Sequence, residues 1–362
     1  MAEDEAAGDA LLSRLLARIR AEGPLSLADY VTTCLWHPEH GYYATRDPLG
    51  RAGDFTTAPE ISQMFGELLG LALAQSWLDQ GAPAPVLLAE LGPGRGTLMA
   101  DILRATARVP GFHDAMRLHL VESSAPLRAA QAETLAQWAT PSWHDSIADL
   151  PEAPLWLVAN EFFDALPPRQ FLRDGEGWRE RLVGAEGDRL IWGLSDAVRL
   201  EALEHRIADT QDGDMVETCA PAEAIAQELG RRVAQHGGAA LIVDYGQWRA
   251  KGDTFQALRR HEKVDPLSAP GTADLTAHVD FEALARAAAP AAIAGPTPQG
   301  VFLERLGITR RAQTLAHALT GPALESHVAA HRRLTHPEEM GTLFQVLGLH
   351  PANAAPPPGL EP

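Results

Sequence analysis

Gly92, Gly94 and Gly96 stand at alternate positions directly after an apolar run, Val86 to Leu91, that carries the acid Glu90. A helix-compatible stretch opens at Thr97. This order reads as strand, tight glycine turn and helix, the arrangement that brings a nucleotide-like ligand against bare backbone. The spacing is Gly-x-Gly-x-Gly. A dinucleotide fingerprint needs its third glycine one place later, where Thr97 stands. Glu90 would repel a pyrophosphate but suits a cation. S-adenosylmethionine carries a sulfonium and an ammonium and no phosphate, so the turn is expected to hold S-adenosylmethionine. The plain alternative is a strand–helix connection without a ligand.

Other acids fall at neighbouring strand ends. Glu122 follows the strand ending at Val121, and an acid there accepts hydrogen bonds from both hydroxyls of a ribose. NAD would be met in the same way, so Glu122 does not separate the two cofactors. Asp145, in Trp143-His144-Asp145-Ser146, lies where a third strand should end and is a candidate for the adenine amino group. Gly53-Asp54-Phe55-Thr56-Thr57-Ala58-Pro59-Glu60 is a polar turn entering a helix. It is a candidate lid, with Asp54 and Thr56 facing the cofactor, though a capped helix start is the plainer reading.

Asn160-Glu161-Phe162-Phe163-Asp164-Ala165-Leu166-Pro167 follows the fourth strand and sets two carboxylates three residues apart. An arginine acceptor would need them. A guanidinium is cationic and a poor nucleophile until a nitrogen lone pair is freed. Paired carboxylates can clamp it, localise its charge and take its proton. Glu161, Asp164 and Asn160 are therefore the candidate catalytic residues; the alternative is a helix start with Glu161 as an exposed first-turn acid. A metal is not expected. Pro38 breaks the spacing of His37 and His40, and His278 with Asp280 lacks a nearby third ligand. No Gly-x-Ser-x-Gly elbow is present.

The elements that must position these groups follow from periodicity. Leu11, Leu12, Leu15, Leu16 and Ile19 have helical spacing, and Gly23-Pro24 ends that helix. A second helix runs to Leu35 and a third from Glu60 to Trp77. Beyond the linker-like stretch 81–85, strands and helices alternate. The strands are Val86–Leu91, Leu118–Val121, Leu155–Ala159 and Ala239–Val243, the last ending in Asp244. Alternation of this kind predicts an α/β, doubly wound parallel sheet with ligands at the carboxyl ends of its strands. Residues 172–215 interrupt it with Trp178, Leu182, Leu190, Ile191 and Trp192 among Gly and Asp, a small β insertion.

The net charge of −18, from 48 acids and 30 bases, argues against a nucleic-acid surface. Two cysteines exclude a disulfide framework and fit a reducing compartment. No apolar run approaches a membrane span, and the acidic start, 1–10, is no secretory signal. A cytoplasmic protein without membrane insertion is expected.

The chain resembles the MidA-like class I methyltransferases, whose mitochondrial members are complex I assembly factors acting as protein arginine methyltransferases. The resemblance is carried by Gly53–Ser62, Glu90–Leu98 and Asn160–Pro167. It continues in Asp244-Tyr245-Gly246, Ala273–Phe281, Gln299–Leu303 and Met340-Gly341, over about residues 10–350. It implies a Rossmann-like, seven-stranded sheet with an N-terminal helical region and inserted and C-terminal accessory elements. It implies S-adenosylmethionine as cofactor, with Gly92, Gly94, Gly96, Glu90 and Glu122 at the cofactor and Glu161 and Asp164 on the acceptor side. The implied partner is a protein, an arginine of the quinone-side 49-kDa-type subunit of respiratory complex I. The lack of a presequence suggests a bacterial member.

The expected organisation is an N-terminal helical region and lid (1–80), a first core part (81–171), the β insertion (172–215) and a second core part (216–250). An accessory segment with closing core strands (251–350) and a disordered tail (351–362) complete it. Two other readings remain open: a small-molecule methyltransferase, and a non-catalytic assembly chaperone. An NAD-linked oxidoreductase is disfavoured by Thr97 and Glu90.

Overall fold

The computed structural model describes residues 2–45, 56–259 and 261–361. Asp54, with Gly53 and Phe55 of the candidate lid, lies outside the described residues. The chain forms two compact units. The first comprises Met1–Phe55, Asp164–Pro221 and Arg249–Asp280; the second comprises Thr56–Phe163, Ala222–Trp248 and Phe281–Pro362.

The second unit holds seven strands: β1 (Val86–Leu91), β2 (Met116–Val121), β3 (Ser142–His144), β4 (Leu155–Asn160), β5 (Gly238–Gln247), β6 (Ala292–Pro298) and β7 (Phe344–His350). Their order across the sheet is β3-β2-β1-β4-β5-β7-β6. β1 to β5 are parallel, and β7 runs antiparallel to both β5 and β6. β1 and β4 are buried along their whole length, as unbroken apolar runs require when helices cover both faces of a sheet. Strand order reverses between β1 and β4, and a doubly wound sheet opens its ligand crevice at that switch point. Of the covering helices, Gln63–Asp79 crosses Thr97–Thr106 very closely. A Cβ on Gly70 would lie 2.9 Å from the Ile102 Cα, so glycine permits the approach. One apolar core, including Phe65, Leu88, Trp156, Leu241 and Val346, fills the unit.

The first unit is antiparallel. Strands Leu25–Ser26, Gly177–Glu186, Arg169–Asp174 and Met215–Thr218 lie in that order, with Arg189–Leu194 returning along Gly177–Glu186. A second sheet pairs Gln256–Arg259 with Glu262–Val264 and Asp274–Thr276. Leu11, Leu15, Leu16 and Ile19 of the helix Ala2–Glu22 join Tyr30, Val183 and Leu275 in one core.

Four expectations need correction. The helix expected over Glu60–Trp77 is two, Ala58–Ile61 and Gln63–Asp79, because Ser62 is extended (φ −160°) and its hydroxyl caps the second at Met64. Asp244 does not end its strand, which runs on to Gln247. The β insertion is not an independent 172–215 element. Its strands pair with Leu25–Ser26 and Met215–Thr218 in a unit drawn from three stretches of chain. The tail is not loose: Leu360, 7% exposed, belongs to the core of the second unit. Among the described residues no helix is long and apolar enough to cross a membrane.

Candidate cofactor and acceptor site

The glycine turn after β1 is built from backbone that side chains resist. Gly92, Gly94 and Gly96 have φ of +60°, +53° and +83°, the left-handed region that glycine enters without Cβ strain. The Gly92 N–H donates to the Val121 carbonyl (3.0 Å), tying the turn to the end of β2. Gly96 precedes the first turn of the helix Thr97–Thr106, whose N-terminal N–H groups are left without helical partners. A Cβ on Gly92 would come within 2.8 Å of the Phe162 ring. Gly92→Ala is therefore expected to weaken S-adenosylhomocysteine binding about tenfold through backbone strain of about 1–3 kcal/mol, measured by calorimetric titration. Wild-type affinity in that variant would show that the turn is not shaped for a ligand.

Glu90 is 3% exposed, and among the described residues its Oε2 has no hydrogen-bond partner. Burial, reinforced by Glu122, pushes its carboxyl up to about 8. A buried acid without a partner is costly, and a cationic ligand would remove that cost. Glu122 follows β2. Its Oε1 accepts from the Ser124 N–H (2.8 Å) and its Oε2 from Gln131 Nε2 (3.4 Å). Burial raises its carboxyl, and these donors act against the rise. Asp145, just beyond β3, is exposed and holds Arg128 (2.6 Å), whose Nε also donates to the Glu122 carbonyl (2.6 Å).

Glu161 follows β4 at φ +50°, a conformation uncommon for a residue with a Cβ and a mark of functional sites. Its contacts with the described residues include three hydrogen bonds. Its N–H donates to Val243 on β5 (2.9 Å), and its Oε1 accepts from the Ala58 N–H and from Asn160 Nδ2, both at 3.1 Å. Asn160 is buried, and among the described residues its Oδ1 has no hydrogen-bond partner. The fully buried Asp244 accepts from the Phe162 and Phe163 N–H groups (3.2 and 2.9 Å), fixing the loop that leaves Glu161. Neither a helix nor an exposed first-turn acid occurs at Glu161.

The segment after the undescribed stretch joins these parts. Glu60 accepts from the Thr97 hydroxyl (2.7 Å) while Ala58 binds Glu161, and Thr56 stands two residues before Ala58. The second unit thus brings together Glu90, the three glycines, Glu122, Asp145, Asn160, Glu161 and Thr56. Asp164 opens a stretch of the first unit, 7% exposed, where its carbonyl accepts from the Ala277 N–H (3.0 Å). Gln131 and Asp244 escaped the sequence reading as site residues. A mid-helix glutamine carries no motif, and Asp244 was read as one more rim acid.

The residues present fit S-adenosylmethionine: a turn of bare backbone, an unpartnered buried acid suited to a cation, and a second acid held on a loop beyond the next strand. Comparisons with known proteins agree. The sequence profile of the S-adenosyl-L-methionine-dependent methyltransferases matches residues 68–297. The chain is 40% identical to protein arginine methyltransferase NDUFAF7 of Danio rerio, over 92% of this chain and 85% of that protein. It is 38% identical to the Homo sapiens protein of the same name, over 94% and 83%. A Burkholderia thailandensis protein bound to S-adenosyl-homocysteine superposes with a TM-score of 0.84 at 30% identity, covering 99% of this chain and 95% of that one. Its fold, its cofactor and these similarities together make the chain a member of the S-adenosylmethionine-dependent methyltransferase family.

Proposed function

We propose that the chain is a protein arginine N-methyltransferase. Its proposed acceptor is an arginine of the quinone-side 49-kDa-type subunit of respiratory complex I, modified during assembly. One observation carries the reading most: Glu161, strained at φ +50° and held by Ala58, Asn160 and Val243 within the unit that carries the glycine turn. The names of the NDUFAF7 relatives support the arginine acceptor.

S-adenosylmethionine supplies an electrophilic methyl group when bound. Glu161 does the rest of the work in this reading. Its carboxylate accepts hydrogen bonds from the guanidinium, fixes the plane of that group and draws positive charge away from the attacking nitrogen. As the nitrogen–carbon bond forms and the carbon–sulfur bond breaks, the methylated nitrogen loses a proton to a carboxylate. Asp164 is proposed as a second acid for the acceptor from its place in the motif. Cys34 and Cys219, neither of them in a disulfide, suit the reducing compartment proposed for the reaction, a bacterial cytoplasm.

The test is transfer of labelled methyl into lysate from a strain lacking the gene, with the label located by mass spectrometry. Label on an arginine of a respiratory-complex subunit is the expected result. Label confined to small molecules would overturn the protein acceptor. No label, despite cofactor binding, would favour an assembly chaperone.

A further inference from the structure

Gln131 lies on the helix Ala125–Leu135 and is fully buried. Glutamine is among the residues that folded chains mostly expose, and an interior amide survives only with partners. Here each end of the amide has one. Nε2 donates to the Gly94 carbonyl (2.7 Å) and, more weakly, to Glu122 Oε2 (3.4 Å), while Oε1 accepts from Trp143 Nε1 (2.8 Å). One side chain thus ties the glycine turn, the acid after β2 and the strand β3. The helix closes on the turn as well, since a Cβ on Gly96 would stand 3.5 Å from the Gln131 Cα.

We propose that Gln131 is the positioning residue for the nucleoside end of the cofactor. The inference rests on the reading of Glu122 as the acid that meets the ribose. An ionised carboxylate has about four acceptor positions. Ser124 takes one on Oε1 and Gln131 one on Oε2, and the Ser123 N–H also bonds the carboxylate, so at least one position is kept for a ribose hydroxyl. Gln131 also anchors the Gly94 carbonyl, part of a turn of left-handed glycines.

The test uses full-length protein and titration with two ligands, S-adenosylhomocysteine and 5′-methylthioadenosine, which lacks the amino-acid part. Gln131→Met is expected to weaken both about tenfold and by the same factor. In an E122Q background its further effect should shrink to about threefold or less, because residues acting through one another are not additive. A merely structural defect would lower both affinities without the coupling to E122Q. Should Gln131→Met fail to fold, Q131E keeps the shape and the acceptor for Trp143 while removing the donor. Wild-type affinity for both ligands in a folded variant would overturn the proposal, as would a loss limited to S-adenosylhomocysteine or full additivity with E122Q. An E122Q protein that binds like wild type would instead overturn the ribose reading, and a wild-type protein that binds neither ligand would overturn the site.

Discussion

Glu161→Gln is expected to lower methyl transfer at least a hundredfold while the affinity for S-adenosylhomocysteine stays within about threefold of wild type. The substitution keeps the Oε1 acceptor that Ala58 and Asn160 use, so the loop should keep its place. It removes the charge that orients a guanidinium and the base that takes its proton, and general-base groups contribute about 10²- to 10⁴-fold. Single-turnover transfer into the acceptor found in the lysate experiment, beside calorimetric titration, makes the measurement. A rate within a few-fold of wild type would remove Glu161 from the chemistry.

Glu90→Gln is expected to stabilise the ligand-free protein and to cost it the cofactor. The sign follows from proton counts. The folded state holds a proton on Glu90 up to about pH 8, whereas an unfolded glutamate releases it near pH 4.5. The folded state therefore binds more protons between those values, and stability falls as pH rises from about 4.5 to about 8. At pH 7 the penalty is on the order of 3 kcal/mol. Urea midpoints of wild type and Glu90→Gln should lie close together near pH 4.5 and diverge by pH 8, with the variant higher. Cofactor affinity should fall at least tenfold in the variant. In wild type it should strengthen as pH rises toward 8, with proton uptake by buffer visible in titrations run in two buffers. Parallel midpoints across that range would mean that Glu90 is not the buried proton store described here.

What the sequence revealed divides along physical lines. β1, its glycine turn and the helix from Thr97 were legible because burial on both faces demands an unbroken apolar run and the turn demands glycines. Glu90, Glu122, Asn160 and Glu161 could be placed beside strand ends because their strands were legible, whereas Asp145 follows a strand of only three residues, Ser142–His144, and was placed by the alternation alone. Asp244 could not be assigned correctly, since an acid after five apolar residues looks like a strand end, and only the loop N–H groups it receives explain its burial. Ser62 was missed because one extended residue inside an apolar helical pattern leaves no periodic trace. The first unit was illegible as a unit because its antiparallel pairings join distant stretches, such as Leu25 with Val183. Leu360 was invisible as a core residue amid proline and alanine.

The three-part composition of the first unit bears on how the protein is made. The helix Ala2–Glu22 leaves the ribosome well before its core partners Val183 and Leu275 are synthesised. At about 5–20 residues per second, its apolar face waits on the order of ten seconds or more for them. During translation that face is open to chaperones and to neighbouring nascent chains.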